Sequence, residues 1–265
     1  METGRHEEGL TLRLKRWLAV GELKMARRAF NAVAGHVPYR IKYAVGGRMR
    51  RRKHPYCLIR DGDTVVQVGA PRDLVHSGRS RAVHFARFVG SGVVIVMEPD
   101  PASARALEDY ARRHGLGERM RIVSVGGWDK PTNLGFLSSD EHPAANIVEE
   151  LEDRVAEDFQ SRGYRRIVIP VDTVDNVVRE AGESTPRLVS ITTNGAEKEI
   201  LRGMQDTMAA GCPYISLAVT GDDYVPHMRE LGYELIAFDD RGFTFSRSVG
   251  AMVTSEPPAG GDSRA

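Results

Sequence analysis

The chain has 265 residues, 41% of them hydrophobic, with 37 Lys and Arg against 36 Asp and Glu. Such a length fills one α/β core, two widely spaced cysteines (Cys57 and Cys212) exclude a disulfide framework or a Cys-rich zinc site, and no apolar run nears the ~18 residues of a membrane span. A soluble, cytoplasmic protein is the expectation.

The neutral total hides an asymmetry: Met1 to Tyr56 holds 14 basic and 4 acidic residues, the rest of the chain 23 and 32. Residues 1–56 read as a basic helical N-terminal extension. Leu10, Leu14, Trp17, Leu18 and Met25 recur at helical spacing among Arg and Lys; the stripe packs on the body or makes a weak contact with an anionic surface such as a membrane. Arg48 to Lys53 (RMRRRK) either meets an anionic substrate or phosphate or is solvated.

The main domain spans 57–249. Thr64 to Val68 is an apolar strand, Gly69 opens a turn, about Arg79 to Val89 is a helix, and Val93 to Met97 is a second strand that stops at Glu98. This βαβ unit puts Gly69, where backbone can approach a ligand, beside Glu98, whose carboxylate suits a ribose diol. The next glycine after Gly69 is Gly78, so G-x-G-x-x-G spacing is absent, which disfavours a pyrophosphate cradle; an ordinary βαβ corner fits the stretch equally well. A helix follows over Pro101 to Gly115, then a strand over Arg121 to Val125 that runs into Ser124-Val125-Gly126-Gly127-Trp128. That glycine turn offers a wall for a purine, with Trp128 either part of the wall or part of the core.

Leu134 to Leu137 reads as an extra strand and Ser138 to Gly163 as an inserted loop and helix, within an insertion near 138–165 of the kind that forms a lid or substrate wall. Arg166 to Pro170 is a strand, Thr173 to Ala181 a helix capped by Asp172, and Leu188 to Thr192 a strand leading through Thr193-Asn194-Gly195 into a helix over Ala196 to Met208. Strands over Ile215 to Val219, Glu234 to Phe238 and Phe243 to Arg247 end the domain, with a helix over Asp222 to Gly232 and an antiparallel hairpin about Asp239 to Gly242. Residues 250–265, rich in Pro, Gly and Ser, read as a disordered tail.

This order of elements resembles the class I S-adenosylmethionine-dependent methyltransferases, and more closely the FkbM family, which methylates oxygen atoms of small molecules and sugars. Val68-Gly69-Ala70, with Phe85 to Gly90 and Glu98-Pro99-Asp100-Pro101, is similar to that family's glycine turn and ribose-binding acid; Val171 to Asp175 resembles its helix entry; Ile191 to Gly203 aligns with its "IDVEGAE…LRG" signature. The resemblance spans roughly Asp61 to Arg247 and implies an α/β, Rossmann-like class I methyltransferase fold: a mostly parallel seven-stranded sheet, an antiparallel terminal hairpin and helices on both faces. It implies S-adenosyl-L-methionine as cofactor, held by Gln67, Gly69, Ala70, Glu98, Pro99, Val125, Gly126 and Gly127, and O-methylation of a small-molecule or sugar hydroxyl, with no nucleic-acid partner.

Three positions depart from the family: Gln67 replaces the usual Asp, and Thr192 and Asn194 replace the Asp and Glu of the signature. They sit where the cofactor's methionine end and the reacting centre are expected, and the first turn is longer than usual. Catalytic candidates are His76, His142, Thr192 and Asn194, with Asp172 either a base or a cap; no His, Asp and Glu grouping has metal-ligand spacing. The alternative is a catalytically degenerate cofactor-binding or interaction protein of the same fold.

Overall fold

A computed structural model describes residues 47–149, 163–218, 224–239 and 242–247. The amphipathic stretch over Leu10 to Phe30, the later part of the insertion and the 250–265 tail lie outside these residues. Among the described residues no helix is long and apolar enough to cross a membrane.

The main sheet is built on β1 (Thr64–Val68), β2 (Val93–Met97), β3 (Met120–Val123), β8 (Leu188–Ile191), β9 (Tyr214–Leu217), β10 (Tyr233–Asp239) and β11 (Gly242–Arg247), in the order β10-β11-β9-β8-β1-β2-β3. β1 and β2 (TVVQV and VVIVM) are buried at every position, as β-branched runs are when both faces of a parallel sheet are covered. Val66, Val68, Ile95 and Met97 face one apolar cluster, and Val65, Val94 and Val96 face the other, the period-two alternation of a strand. Each fully buried Val, Ile or Met contributes about 1.5–3 kcal/mol. Pairing from β3 to β9 is parallel, whereas β11 runs antiparallel to both β9 and β10, so the expected terminal hairpin is present.

Helices cover both faces. α2 (Arg81–Phe88) and α3 (Pro101–Arg113) pack on one side; α4 (Val174–Glu180), α5 (Glu197–Arg202), α6 (Gln205–Ala209) and α7 (Tyr224–Glu230) pack on the other. Between β1 and α2 the long first turn folds into a further helical turn, α1 (Arg72–His76), so the helix expected from about Arg79 begins only at Arg81. The single helix expected over Ala196 to Met208 is broken at Gly203, where backbone passes against the Trp128 carbonyl. α4 is capped by Thr173, whose Oγ1 accepts from the Asn176 amide at 3.0 Å, rather than by Asp172.

The sequence did not announce a second sheet. β4 (Gly126–Gly127), β5 (Thr132–Ser139), β6 (Ile147–Val148) and β7 (Tyr164–Asp172) pair in the order β4-β7-β5-β6. The expected strands Leu134 to Leu137 and Arg166 to Pro170 are the centres of β5 and β7, which run antiparallel along eight residue pairs from Thr132↔Val171 to Ser139↔Tyr164. β7 turns Ile169 and Val171 inward, while Val168 stays 67% exposed.

Candidate functional site

Strand order reverses between β1 and β8: from β1 the chain builds outward to β2 and β3, then returns to lay β8 on the other flank. Open α/β sheets bind ligands outside the carboxyl ends of their strands at such a switch point. A cavity of about 610 Å³, counting its open mouth, lies there. Gly69, Glu98 and Pro99 line its sheet side with Gly126 and Gly127, and Thr192 to Asn194 line the β8 end. The opposite wall comes from the second sheet, through Phe136, Ile147, Val148, Ile169 and Val171.

Gly69 makes this turn possible. Its φ is +84°, and a Cβ placed there would lie 2.5 Å from the Thr192 carbonyl oxygen. Only glycine combines that backbone with that approach. Its amide donates to the Met97 carbonyl at 2.9 Å, which pulls the turn toward β2 and Glu98.

Glu98 is 5% exposed. Its Oε2 accepts from the Ala70 amide at 2.5 Å and its Oε1 from the Asp100 amide at 3.0 Å. Asp100 in turn caps α3, accepting from the Ala102 and Ser103 amides. The carboxyl is thereby fixed in orientation, and each oxygen keeps a lone pair for a hydroxyl. Burial pushes its pKa up to about 7, against the lowering effect of the two amides. An acid whose folded pKa lies above its unfolded value weakens the fold as pH rises through that interval, because the unfolded chain releases the proton first. Stability should therefore fall by roughly 2–3 kcal/mol between about pH 4.5 and about pH 7 from this group. Urea midpoints at the two ends of the window should show that slope in the native protein and not in Glu98→Gln; identical slopes would refute it.

At the junction of β1 and β8, Gln67 is fully buried and does not line the cavity. Its Nε2 directs its two hydrogens among three acceptors, the Val68 and Gly69 carbonyls at 3.0 and 2.8 Å and Thr192 Oγ1 at 2.7 Å. The Thr192 hydroxyl lies 2.9 Å from the Gly69 carbonyl oxygen and 3.1 Å from that of Val68. Two of the family's departures thus touch each other. Where two acids would stand side by side, an amide and a hydroxyl join the strands.

The third departure ties the insertion down. Asn194 Nδ2 donates to the carbonyls of Ala144 and Asn146, at 3.0 and 2.7 Å. From the other side Arg72 on α1 pairs with Asp140 at 2.7 Å and donates to its carbonyl at 2.9 Å. The lengthened first turn and the altered signature therefore hold the same wall. A glutamate at 194 would face both carbonyls with no hydrogen to donate.

The remaining candidates are dispersed. His76 ends α1 and His142 precedes the Pro143–Ala145 turn; both are exposed and neither lines the cavity. Asp172 accepts from the Thr173 amide and from Asn176 Nδ2, both at 2.7 Å. Ala70 reaches the site only through its amide on Glu98, and Val125 packs against the core beside the glycine wall. Trp128 is 9% exposed within the apolar cluster, which makes it a core residue rather than a purine platform. Arg51 stacks over Phe88 at 5.5 Å and Arg50 donates to the Gly78 carbonyl, so the RMRRRK run lies along α2, with none of it in the cavity lining. The insertion, expected to form a lid or substrate wall, supplies Pro143, Ala144, Asn146, Ile147 and Val148 to the lining; sequence reasoning missed the part of the wall that comes from Phe136, Ile169 and Val171, whose one signal was the alternation in Leu134 to Leu137 and Arg166 to Val171. Among the described residues no group of three or more His, Cys, Asp and Glu is arranged to hold a metal ion.

Strand order, antiparallel last hairpin and a buried acid at the end of β2 together define a class I methyltransferase fold. The methyltransferase FkbM domain matches residues 67–244, well over half of the chain. The chain belongs to the FkbM methyltransferase family. Solved structures similar in fold include a methyltransferase FkbM from Methylobacillus flagellatus KT (14% identity, TM-score 0.47, 71% of this chain and 44% of that one). Another is a SAM-dependent O-methyltransferase from Thermotoga maritima (12%, 0.39, 80% and 66%), and a third is a methyltransferase from Geobacter sulfurreducens (11%, 0.43, 84% and 98%). The chain thus spans less than half of the Methylobacillus protein and just under two thirds of the Thermotoga one. No curated protein matches it in sequence.

Proposed function

We propose that the chain transfers a methyl group from S-adenosyl-L-methionine to a hydroxyl oxygen of a small-molecule or sugar acceptor. The observation that carries this reading is Glu98, a buried carboxyl held by two backbone amides at the end of β2 and facing the cavity. When bound, S-adenosylmethionine supplies an electrophilic methyl on a sulfonium. Glu98 accepts the two ribose hydroxyls, and Pro99, Gly126 and Gly127 give the purine a flat, close wall. The apolar side chains of the second sheet exclude water and orient the acceptor. Orientation of this kind supplies about 7–11 kcal/mol in favourable cases, so an in-line displacement needs little else. Glu98 is the one carboxyl among the described lining residues and is committed to ribose, so the acceptor's proton leaves through the open mouth to solvent.

Calorimetry with S-adenosylmethionine tests the reading. The native protein should bind, and Glu98→Ala should weaken binding by about a hundredfold or more. No heat with the native protein would sink it, as would unchanged binding by the variant. A second reading, a cofactor-binding protein without turnover, is favoured by the engagement of Thr192, Thr193 and Asn194 with other protein groups. Binding without methyl transfer to any of a panel of sugars, phenols and polyketide alcohols would select it.

A further inference from the structure

We infer that Glu197 is a positioning residue for the β8 end of the cavity: its carboxyl fixes the turn Thr193 to Gly195 and, through Asn194, sets the wall that the insertion supplies. Any occupant of the cavity would meet that wall, whether or not it is the cofactor. Glu197 opens α5 and is 2% exposed, although it does not line the cavity. Next to it in sequence, Ala196, Ile200 and Leu201 belong to an apolar cluster, and burial pushes the Glu197 pKa up. A carboxyl in such a place weakens the fold unless its oxygens are used. Both are.

Oε1 accepts from the Thr193 hydroxyl at 3.0 Å and from the Gly195 amide at 3.5 Å. Oε2 accepts from the Tyr224 hydroxyl at 3.2 Å, which ties the carboxyl to α7. One oxygen thus reaches both neighbours of Asn194. Asn194 and Gly195 are themselves exposed, so packing does little to hold them. With the turn fixed, Asn194 Nδ2 meets the Ala144 and Asn146 carbonyls at 3.0 and 2.7 Å, and the insertion presents Pro143, Ala144, Ile147 and Val148 to the cavity. A chain of side-chain hydrogen bonds therefore runs from α7 through Glu197 and the turn to the insertion.

Hydrogen exchange read by mass spectrometry on the full chain tests this with two substitutions. Glu197→Gln keeps the geometry: its amide oxygen accepts from Thr193 and Gly195, and its amide hydrogens meet the Tyr224 hydroxyl, which can also accept. Glu197→Met fills the space without an oxygen. Exchange over 193–196 and 139–146 should stay within about threefold of native in Glu197→Gln and rise about tenfold or more in Glu197→Met, because several hydrogen bonds are lost together. Exchange over β2 should change far less. No acceleration in Glu197→Met would make Glu197 a core filler, equal acceleration in Glu197→Gln would assign the effect to charge, and equal acceleration at β2 would mean a general loss of stability. Each of these results overturns the inference.

Calorimetry gives a second readout, with S-adenosylhomocysteine and with methylthioadenosine, a thioether of the same nucleoside without the amino-acid tail. Glu197→Met should weaken whichever of them the native protein binds by about tenfold, and Glu197→Gln by less than about threefold; unchanged binding in Glu197→Met also overturns the inference. If the native protein binds neither, the cofactor reading falls and the exchange rates alone decide the role of Glu197. Should Glu197→Met fail to fold, Thr193→Val, which removes one donor and keeps the shape, must speed exchange over 139–146 by about threefold or more, and no change there would overturn the inference.

Discussion

Gly69→Ala is expected to cost about 3–5 kcal/mol, enough to remove a large part of an ordinary domain's stability. Two effects add. A non-glycine residue at φ +84° carries roughly 1–2 kcal/mol of left-handed strain. The new Cβ would also lie 2.5 Å from the Thr192 carbonyl oxygen and 3.3 Å from Thr192 Oγ1, and neither is the free end of a flexible side chain. The β1 turn must lift off β8, which breaks the Gln67, Thr192 and Gly69 bonds together, at about 1 kcal/mol each. Gly115→Ala separates the two effects. Gly115 also has a positive φ, +65°, but nothing lies within 4 Å of its Cβ position, so its alanine variant should lose only about 1 kcal/mol. Urea unfolding of both variants measures the difference; equal losses would show that strain alone matters at Gly69. Nucleoside binding should disappear in Gly69→Ala and persist in Gly115→Ala.

Elements with a strong local period were legible in the sequence. β1 and β2 are apolar runs bounded by glycine or acid, β8 is a short apolar run between Arg187 and Thr192, and α3 carries its own cap in Asp100 and Pro101, so their limits agree with the structure to within a residue or two. Glu98 was legible for the same reason, because a strand that ends in an acid beside a glycine turn has few other places to put that acid. The second sheet was hidden. β4 is two glycines with no side chains to show a period, and β5 and β7 pair over 24 or more intervening residues, a contact that no local pattern encodes.

The meaning of the three departures was also out of reach. Gln67, Thr192 and Asn194 lie on two separate strands or turns, and only the folded register shows that the first two touch and that the third reaches into the insertion. Read singly, each is a lost acid. Read in the fold, they are hydrogen-bond donors that bind the site's own walls, and the longer first turn belongs with them because α1 provides the second anchor, Arg72. Consistency between a local change and its distant partner is what keeps such a site folded.

Gly203→Ala is expected to be nearly as damaging as the change at Gly69, for a different physical reason. Its φ of −83° suits any residue, so no backbone strain is involved. A Cβ there would lie 2.0 Å from the Trp128 carbonyl oxygen and 3.3 Å from the Asp129 Cα, so the end of α5 and the chain after β4 must separate. Both are constrained: the Trp128 amide donates to the Asp172 carbonyl at 2.9 Å, and the Gly203 carbonyl accepts from the Asp175 amide at 3.2 Å. Opening this contact loosens packing around Trp128, Ile200 and Met204, where poorly filled space costs about 2–4 kcal/mol. The same displacement reaches the cavity through Gly127, whose Cβ position lies 2.8 Å from Val68 Cγ1 and 3.0 Å from Ile200 Cγ1. Gly203→Ala should therefore lower the urea midpoint and weaken S-adenosylhomocysteine and methylthioadenosine alike, although Gly203 is absent from the cavity lining. Loss of stability with unchanged ligand affinity would show that the glycine wall does not follow the α5 contact, and that the last glycine of the signature serves the core alone.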